Sequence, residues 1–245
     1  MRTTIPTVPA ALAAALLLSA CAAAPDRNSL DWDPFEEQNR AAHEVNEPVD
    51  RTVYGPVSRA YGTVVPPPVR KGIKNVRDNW RLPGQVIQYG LQGKPVKVAA
   101  STTRFLVNTL LGLGGLLDVA VDMGLPYDET NFDETFYTWG LPEGGYVELP
   151  LVGPGTQRDW TGYALDQVSD PTWYVLAAPA STALLVLGGL DLVNDRYELD
   201  PVLQSLLHES ADGYTAQRIS YVQNMRARLE GGTDVDQLED IYADQ

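Results

Sequence analysis

The chain has little of what most chemistry needs. Its 245 residues include one cysteine, so no internal disulfide can form, and two histidines, His43 and His208. Both histidines fall on helical patterns with no cysteine or second histidine nearby, and this leaves a zinc site or a Ser-His pair without local partners. Bases are scarce: 18 Lys and Arg against 32 Asp and Glu give a formal charge of −14. Nucleic acid is excluded as a partner, because its phosphates demand a basic face. Simple electrostatic adsorption to anionic lipid is excluded on the same ground. Gly112-Leu113-Gly114-Gly115-Leu116-Leu117 lacks the final glycine of a dinucleotide fingerprint and the lysine of a phosphate-binding loop. Asp128 to Glu134 lacks the glycine of a calcium loop. With 32 carboxylates an acid pair is always available, but none stands out as catalytic. The expectation is a non-enzyme with no cofactor and no metal.

What is present is apolar, broken and addressed. Arg2, an apolar run from Ala10 through Leu18 and then small residues read as a secretory signal. It ends on Leu18-Ser19-Ala20-Cys21, which resembles the bacterial lipobox, so Cys21 is the expected lipid-attachment residue. By resemblance to lipoprotein sorting rules, Ala22 rather than Asp points to the outer membrane. Residues 1–20 are therefore read as a signal peptide, 21–30 as a lipidated tether, 31–232 as a helical domain and 233–245 as an acidic mobile tail.

Eighteen prolines and 21 glycines predict short, interrupted helices. The central stretch is Thr103 to Asp122. Between Arg104 and Asp118 it holds thirteen uncharged residues, six of them leucine. Thirteen residues make about 20 Å of helix, whereas a bilayer core of about 30 Å needs about twenty. Gly112, Gly114 and Gly115 favour a bend. Two readings stand: an element that enters one leaflet with a glycine hinge, or a buried core helix. Arg104, Asp118 and Asp122 border the run and are candidates for a polar mouth, or else structural caps and pairs. A second apolar run, between Asp170 and Asp191, is long enough to span but is broken by Pro179 and Gly188-Gly189, which predicts two short segments.

Elsewhere, Asp33-Pro34-Phe35-Glu36 predicts a capped helix start with Phe35, Ala42, Val45 and Val49 inward, bent or ended at Pro48. Val64 to Pro68 predicts a polyproline connector, and Val69 to Trp80 a helix. Its Arg70, Lys74, Arg77 and Arg81 share one face: either a face paired with the chain's carboxylates or a contact for lipid phosphates. Gly144 to Pro150 reads as extended. Tyr214 to Leu229 reads as a helix with Arg218, Arg226 and Arg228 outside, ended by Gly231-Gly232.

Several spaced motifs are similar to those of one family, the MlaA/VacJ phospholipid-binding lipoproteins. They are Asp33-Pro34-Phe35-Glu36 with Asn39-Arg40 and Asn46, Val65-Pro66-x-Pro68-Val69-Arg70, and Leu91-Gln92-Gly93. Arg104-Phe105-Leu106-Val107-Asn108-Thr109 with Gly112, Gly114, Gly115 and Asp118-Val119-Ala120 is the densest, and Trp139-Gly140, Leu149-Pro150-x-x-Gly153-Pro154 and Arg158-Asp159 follow. The resemblance covers roughly Asp33 to Gly232. It implies an all-α, ring-like arrangement of short amphipathic helices around a central channel, embedded in one leaflet. It further implies removal of phospholipids from the outer leaflet of the outer membrane, transfer to a soluble periplasmic carrier and then to an ATP-driven inner-membrane transporter, and seating beside a trimeric porin. A structural lipoprotein that docks a porin without lipid passage is the alternative. The chain departs from the family pattern at Gln38, at His43 and Val45, and at Gly145.

Overall fold

The computed structural model describes residues 29–30 and 32–231. Cys21, the signal and the acidic tail lie outside them. Helix α1 (Glu36–Val49) runs through Pro48 into a π-helical turn (Asp50–Tyr54) and on into α2 (Gly55–Val64). Pro48 therefore does not end the helix. It has no N–H to give the preceding turn, and the wider turn just after it takes up the lost register. The expected capping box is also absent, since α1 starts one residue after Phe35 without a side-chain cap. Asp33 instead accepts hydrogen bonds from Asn39 Nδ2, 3.1 Å away, and from the Tyr214 hydroxyl. Val45 and Val49 face outward, and Asn39 and Ala42 are the buried pair.

The proline connector is shorter than its sequence suggests. Only Val65 and Pro66 are extended, and Pro67 and Pro68 occupy the first turn of α3 (Pro67–Leu91), where missing N–H groups cost nothing. Pro83 and Gly84 lie inside α3 without stopping it. Gly93, at φ +70°, turns the chain into α4 (Pro95–Leu110), and these two helices make the most extensive helix pair among the described residues. The apolar stretch then leaves helical geometry at Leu111 and loops through Leu117 before α5 (Val119–Asp122). Next come α6 (Phe132–Thr138), an antiparallel hairpin of β1 (Tyr146–Leu149) and β2 (Gly153–Thr156), and α7 (Gln157–Ser169), which opens on a Thr156–Asp159 capping box. Short α8 (Thr172–Val175) precedes α9 (Ala180–Glu198), then α10 (Asp200–Leu203), a second π-helical turn (Gln204–Glu209) and α11 (Gly213–Leu229). The protein is mainly helical, as expected. Pro179 does divide the second apolar run, but Gly188-Gly189 stay within α9.

The burial pattern is inverted relative to a protein designed for water. Buried side chains include Asn39, Asn79, Gln85, Arg104, Asn108, Asp133, Arg158, Asp191 and Arg196, and few large apolar ones. Outside lie Leu110 at 76% exposure, Leu113 at 73%, Val64, Leu106, Leu111, Val121, Tyr174, Val175, Leu185 and Val186. Exposed apolar side chains in that number mark a contact with a membrane or another protein. The interior is tied together by hydrogen-bonded ion pairs: Arg104–Asp118 at 2.9 Å, Arg158–Asp133 at 2.6 Å and Arg196–Asp50 at 2.7 Å. Arg218 belongs to this set: it is buried and donates to the Leu30 carbonyl at 2.6 Å, against the expected outward position. Glycine permits the close crossings. A Cβ on Gly62 would stand 2.3 Å from the Tyr197 ring, so α2 and α9 approach in a way only glycine allows. Among the described residues no helix is long and apolar enough to cross a membrane.

Candidate functional site: an amphipathic cavity beside an exposed leucine loop

The leucine loop is shaped by its glycines. Gly114 and Gly115 have φ of +74° and +98°, and Leu113 shares the left-handed region at 56°. A Cβ on Gly115 would stand 2.6 Å from Asn79 Cβ of α3, and one on Gly112 would stand 2.2 Å from the Leu117 carbonyl oxygen. The loop thus folds tightly on itself and against α3, where Leu116 packs over Gly72, while Leu110, Leu111 and Leu113 are the most exposed of its leucines. Its backbone is bonded from beneath: Trp80 Nε1 donates to the Gly114 carbonyl at 3.2 Å and Asn75 Nδ2 to the Leu116 carbonyl at 3.1 Å. Gly115 N–H donates to Asn108 O and Leu117 N–H to Gly112 O, both at 2.9 Å.

Arg104 and Asp118 meet at the base of this loop. Arg104 Nη2 donates to both Asp118 oxygens, at 3.0 and 2.9 Å, and Nη1 donates to the Leu125 carbonyl. Asn108 Nδ2 donates to Asp118 at 2.8 Å while its Oδ1 accepts from Ala120 N–H at 2.9 Å. The arrangement closes the two ends of the run with a buried staple. Asp122 is exposed at the end of α5.

On another side of α3 lies a half-open cavity of about 430 Å³, bounded also by α7, α8 and α9. Trp173 of α8 with Leu184 and Leu192 of α9 form its apolar wall, and Arg77, Arg81, Gln85 and Gln88 of α3 with Asp166 of α7 its polar one, Trp80 standing among the arginines of α3. Gly84, Gly188 and Gly189 line it as well, and no atom stands within 4 Å of where a Cβ on any of them would project. Gln88 Nε2 donates to Asp166 Oδ1 at 2.5 Å, and Phe132 N–H donates to the same oxygen at 3.2 Å. Burial pushes the Asp166 carboxyl up to about 6, the backbone bond and the Arg81 charge recovering only part of that cost. Asp78, just outside on α3, is likewise pushed up to about 6 by burial despite Lys74 and Arg77.

The basic face of α3 divides on inspection. Arg70 Nη1 donates to Asn194 Oδ1 at 2.7 Å, with Glu198 at 3.7 Å, and its guanidinium stacks over the Tyr197 ring. Arg77 pairs with the buried Asp191 of α9, and Lys74 lies 3.8 Å from Asp78. Arg81 reaches Glu129 at 2.6 Å. Of the four basic residues of this face, Arg77 and Arg81 line the cavity and Arg70 and Lys74 do not. Gln85, Gln88 and Asp166 escaped sequence reasoning. Gln85 and Gln88 continue the spacing Arg77, Arg81 along one helical face, beyond Trp80, where the sequence pattern closes that helix.

The histidines sit elsewhere, in a network that fastens α1. His43 Nδ1 lies 3.2 Å from Glu148 of β1 with its ring edge-on to Tyr214, and this carboxylate raises the imidazole pKa above its usual value. His208 bridges Glu47 and Asp50, each at 3.1 Å. Gly145, a departure from the family pattern, leaves room for the Phe35 ring, which a Cβ there would approach to 2.9 Å. Among the described residues no three His, Cys, Asp or Glu side chains are placed to hold a metal ion.

Residues 31–228 match the MlaA lipoprotein family. The intermembrane phospholipid transport system lipoprotein MlaA of Escherichia coli is 33% identical over 220 residues, covering 88% of this chain and 86% of its own. The protein of the same name from Haemophilus influenzae is 30% identical over 97% of this chain and 96% of its own. A solved structure described as the structural basis for maintenance of bacterial outer membrane lipid asymmetry superposes with a TM-score of 0.66 at 33% identity, over 78% of this chain and 96% of that one. The chain therefore belongs to the MlaA lipoprotein family.

Proposed function

We propose that this protein is the outer-membrane component of a phospholipid trafficking system, taking phospholipids from the outer leaflet and passing them to a soluble periplasmic carrier. Asymmetry of the outer membrane is the result. The observation that carries this reading is the inverted burial: leucines and valines outside, ion pairs and amides inside, and a cavity with one greasy and one polar wall. A phospholipid has the same division, so its headgroup can follow the polar wall while its tails keep to apolar surroundings. The leucine loop, hinged at Gly112, Gly114 and Gly115, seats the ring of helices at the depth of a single leaflet. Arg104 and Asp118 hold that loop from below, with Asp122 at its rim, and Arg77 joins the cavity wall. Arg70 and Lys74 fix and solvate the same helix. Residues 1–20 serve as export signal, Cys21 carries the acyl anchor at the inner leaflet, 21–30 form the tether and 233–245 the acidic tail. A trimeric porin provides the surrounding for part of the apolar belt. Directional work falls to the carrier and its transporter.

The test is outer-leaflet phospholipid labelling in a strain lacking the gene, complemented with the wild-type chain or with Gly188→Phe, which fills the cavity. Phospholipid should accumulate outside in the deletion, fall on wild-type complementation and stay high with the variant. Unchanged leaflet composition in the deletion overturns the proposal. Purified protein that seats on its porin yet carries no phospholipid by mass spectrometry establishes the docking alternative instead.

A further inference from the structure

The cavity wall carries more hydrogen-bond acceptors than the protein satisfies. Gln85 and Gln88 are 2% and 5% exposed, yet the Oε1 atom of each has no hydrogen-bond partner among the described residues. Each amide is held by its nitrogen: Gln85 Nε2 donates to the Tyr127 hydroxyl at 2.7 Å, and Gln88 Nε2 to Asp166. Buried acceptors left in this state are exceptions that call for a partner. Beside them the Asp166 carboxylate receives two N–H bonds but no guanidinium, because Arg81 is drawn to Glu129. Two orphan carbonyls and an under-compensated carboxylate in one wall want several donors and a positive charge. A primary ammonium supplies three N–H donors and that charge. Arg81, one third exposed at its side chain and using one end of its five-donor fork on Glu129, keeps donors for a phosphate oxygen next to it.

We propose, on the footing of the phospholipid-passage reading, that Gln85, Gln88 and Asp166 with Arg81 form a headgroup subsite that selects phospholipids bearing a primary ammonium over anionic ones with a polyol headgroup. The ammonium takes the two Oε1 atoms and Asp166, and the phosphodiester takes Arg81. A polyol headgroup can offer hydroxyl donors to the amides but brings a net negative charge toward Asp166 and Glu129, which Arg81, already paired with Glu129, offsets only in part. The expected preference is about ten-fold, the factor that one charge-assisted hydrogen bond supplies.

Full-length lipidated protein in nanodiscs is equilibrated with vesicles of equimolar phosphatidylethanolamine and phosphatidylglycerol of matched chains, and the co-purifying lipid is identified by mass spectrometry. Wild type should retain phosphatidylethanolamine in excess. Asp166→Asn should bring the ratio to that of the vesicle, with total lipid retained. Gln85→Glu, whose new carboxylate the Tyr127 hydroxyl can donate to, should raise the ratio further, and it serves if Asp166→Asn does not fold. A wild-type ratio equal to the vesicle's, or a ratio that neither variant moves, overturns the subsite. Lipid bound without discrimination leaves the passage reading standing; no bound phospholipid at all brings down both.

Discussion

Removing Arg104 should loosen the leucine loop and destabilise the whole protein. The side chain is 3% exposed and makes two hydrogen bonds to Asp118, one to the Leu125 carbonyl and a face contact with the Tyr127 ring, 5.6 Å from its centroid. Arg104→Met keeps most of the packing and deletes the charge. Asp118 is then left with only Asn108 and its weak cap to Val121 N–H at 3.4 Å. Breaking a buried pair by removing one partner costs about 3–5 kcal/mol. Because the Asp118 side chain is 19% exposed and can recruit some water, the lower end, about 3 kcal/mol, applies. Against a total of roughly 5–15 kcal/mol that is a large share. Replacing both residues, as in Arg104→Met with Asp118→Leu, should cost less than the two single changes together, with a coupling of about 2 kcal/mol. The assay is urea unfolding in mild detergent followed by tryptophan fluorescence, with amide hydrogen exchange read at residues 110–118. An Arg104→Met protein within 1 kcal/mol of wild type, whose loop amides exchange no faster, refutes the staple. Altered lipid retention at unchanged stability would make Arg104 a headgroup contact instead.

Gly62→Val should lower stability by about 1–3 kcal/mol through overpacking, since its Cβ meets the Tyr197 ring at 2.3 Å. A melting curve checks this, and Tyr197→Ala in the same chain should recover part of the loss. By contrast Gly188→Phe, which points into open space, should leave the melting temperature near wild type while abolishing outer-leaflet clearance. His43 should titrate above the ordinary 6.5 by NMR of its ring, and Glu148→Gln should return it toward that value. Its folded pKa exceeds the unfolded one, so its stabilisation is complete below pH 6.5 and fades as pH rises through the folded value.

Much of the fold was legible because local rules were strong. The first apolar run is too short for a span, Pro179 breaks the second and does separate α8 from α9, and within the Gly144 to Pro150 stretch Tyr146–Leu149 is a strand of a hairpin. Errors came where tertiary contact overrode a local signal. Pro48 predicts a bend or an end and the pattern closes the next helix at Trp80, but Pro48 and Pro83 both sit in helices whose flanks are held by other elements, so one missing bond ends neither. Gly188-Gly189 likewise remain helical within α9, where their missing side chains leave the cavity open. Arg218 was placed outside by its charge; Asp33 and the Leu30 carbonyl draw it in. The cavity was the least legible feature. Its polar wall joins Gln85 and Gln88 to Asp166 almost eighty residues later, and no spacing rule relates α3 to α7.

The carbonyls of the loop from Leu111 to Leu117 have a consequence beyond shape. Irregular chain is normally barred from hydrocarbon because stranded peptide groups cost several kcal/mol apiece there. Here Trp80, Asn75 and the Leu117 amide take up the carbonyls of Gly114, Leu116 and Gly112, which lowers that cost for three of the loop's peptide groups. The segment can thus rest in oil without being a helix, and its depth of immersion is set by the rigid rod it is bolted to rather than by its own length.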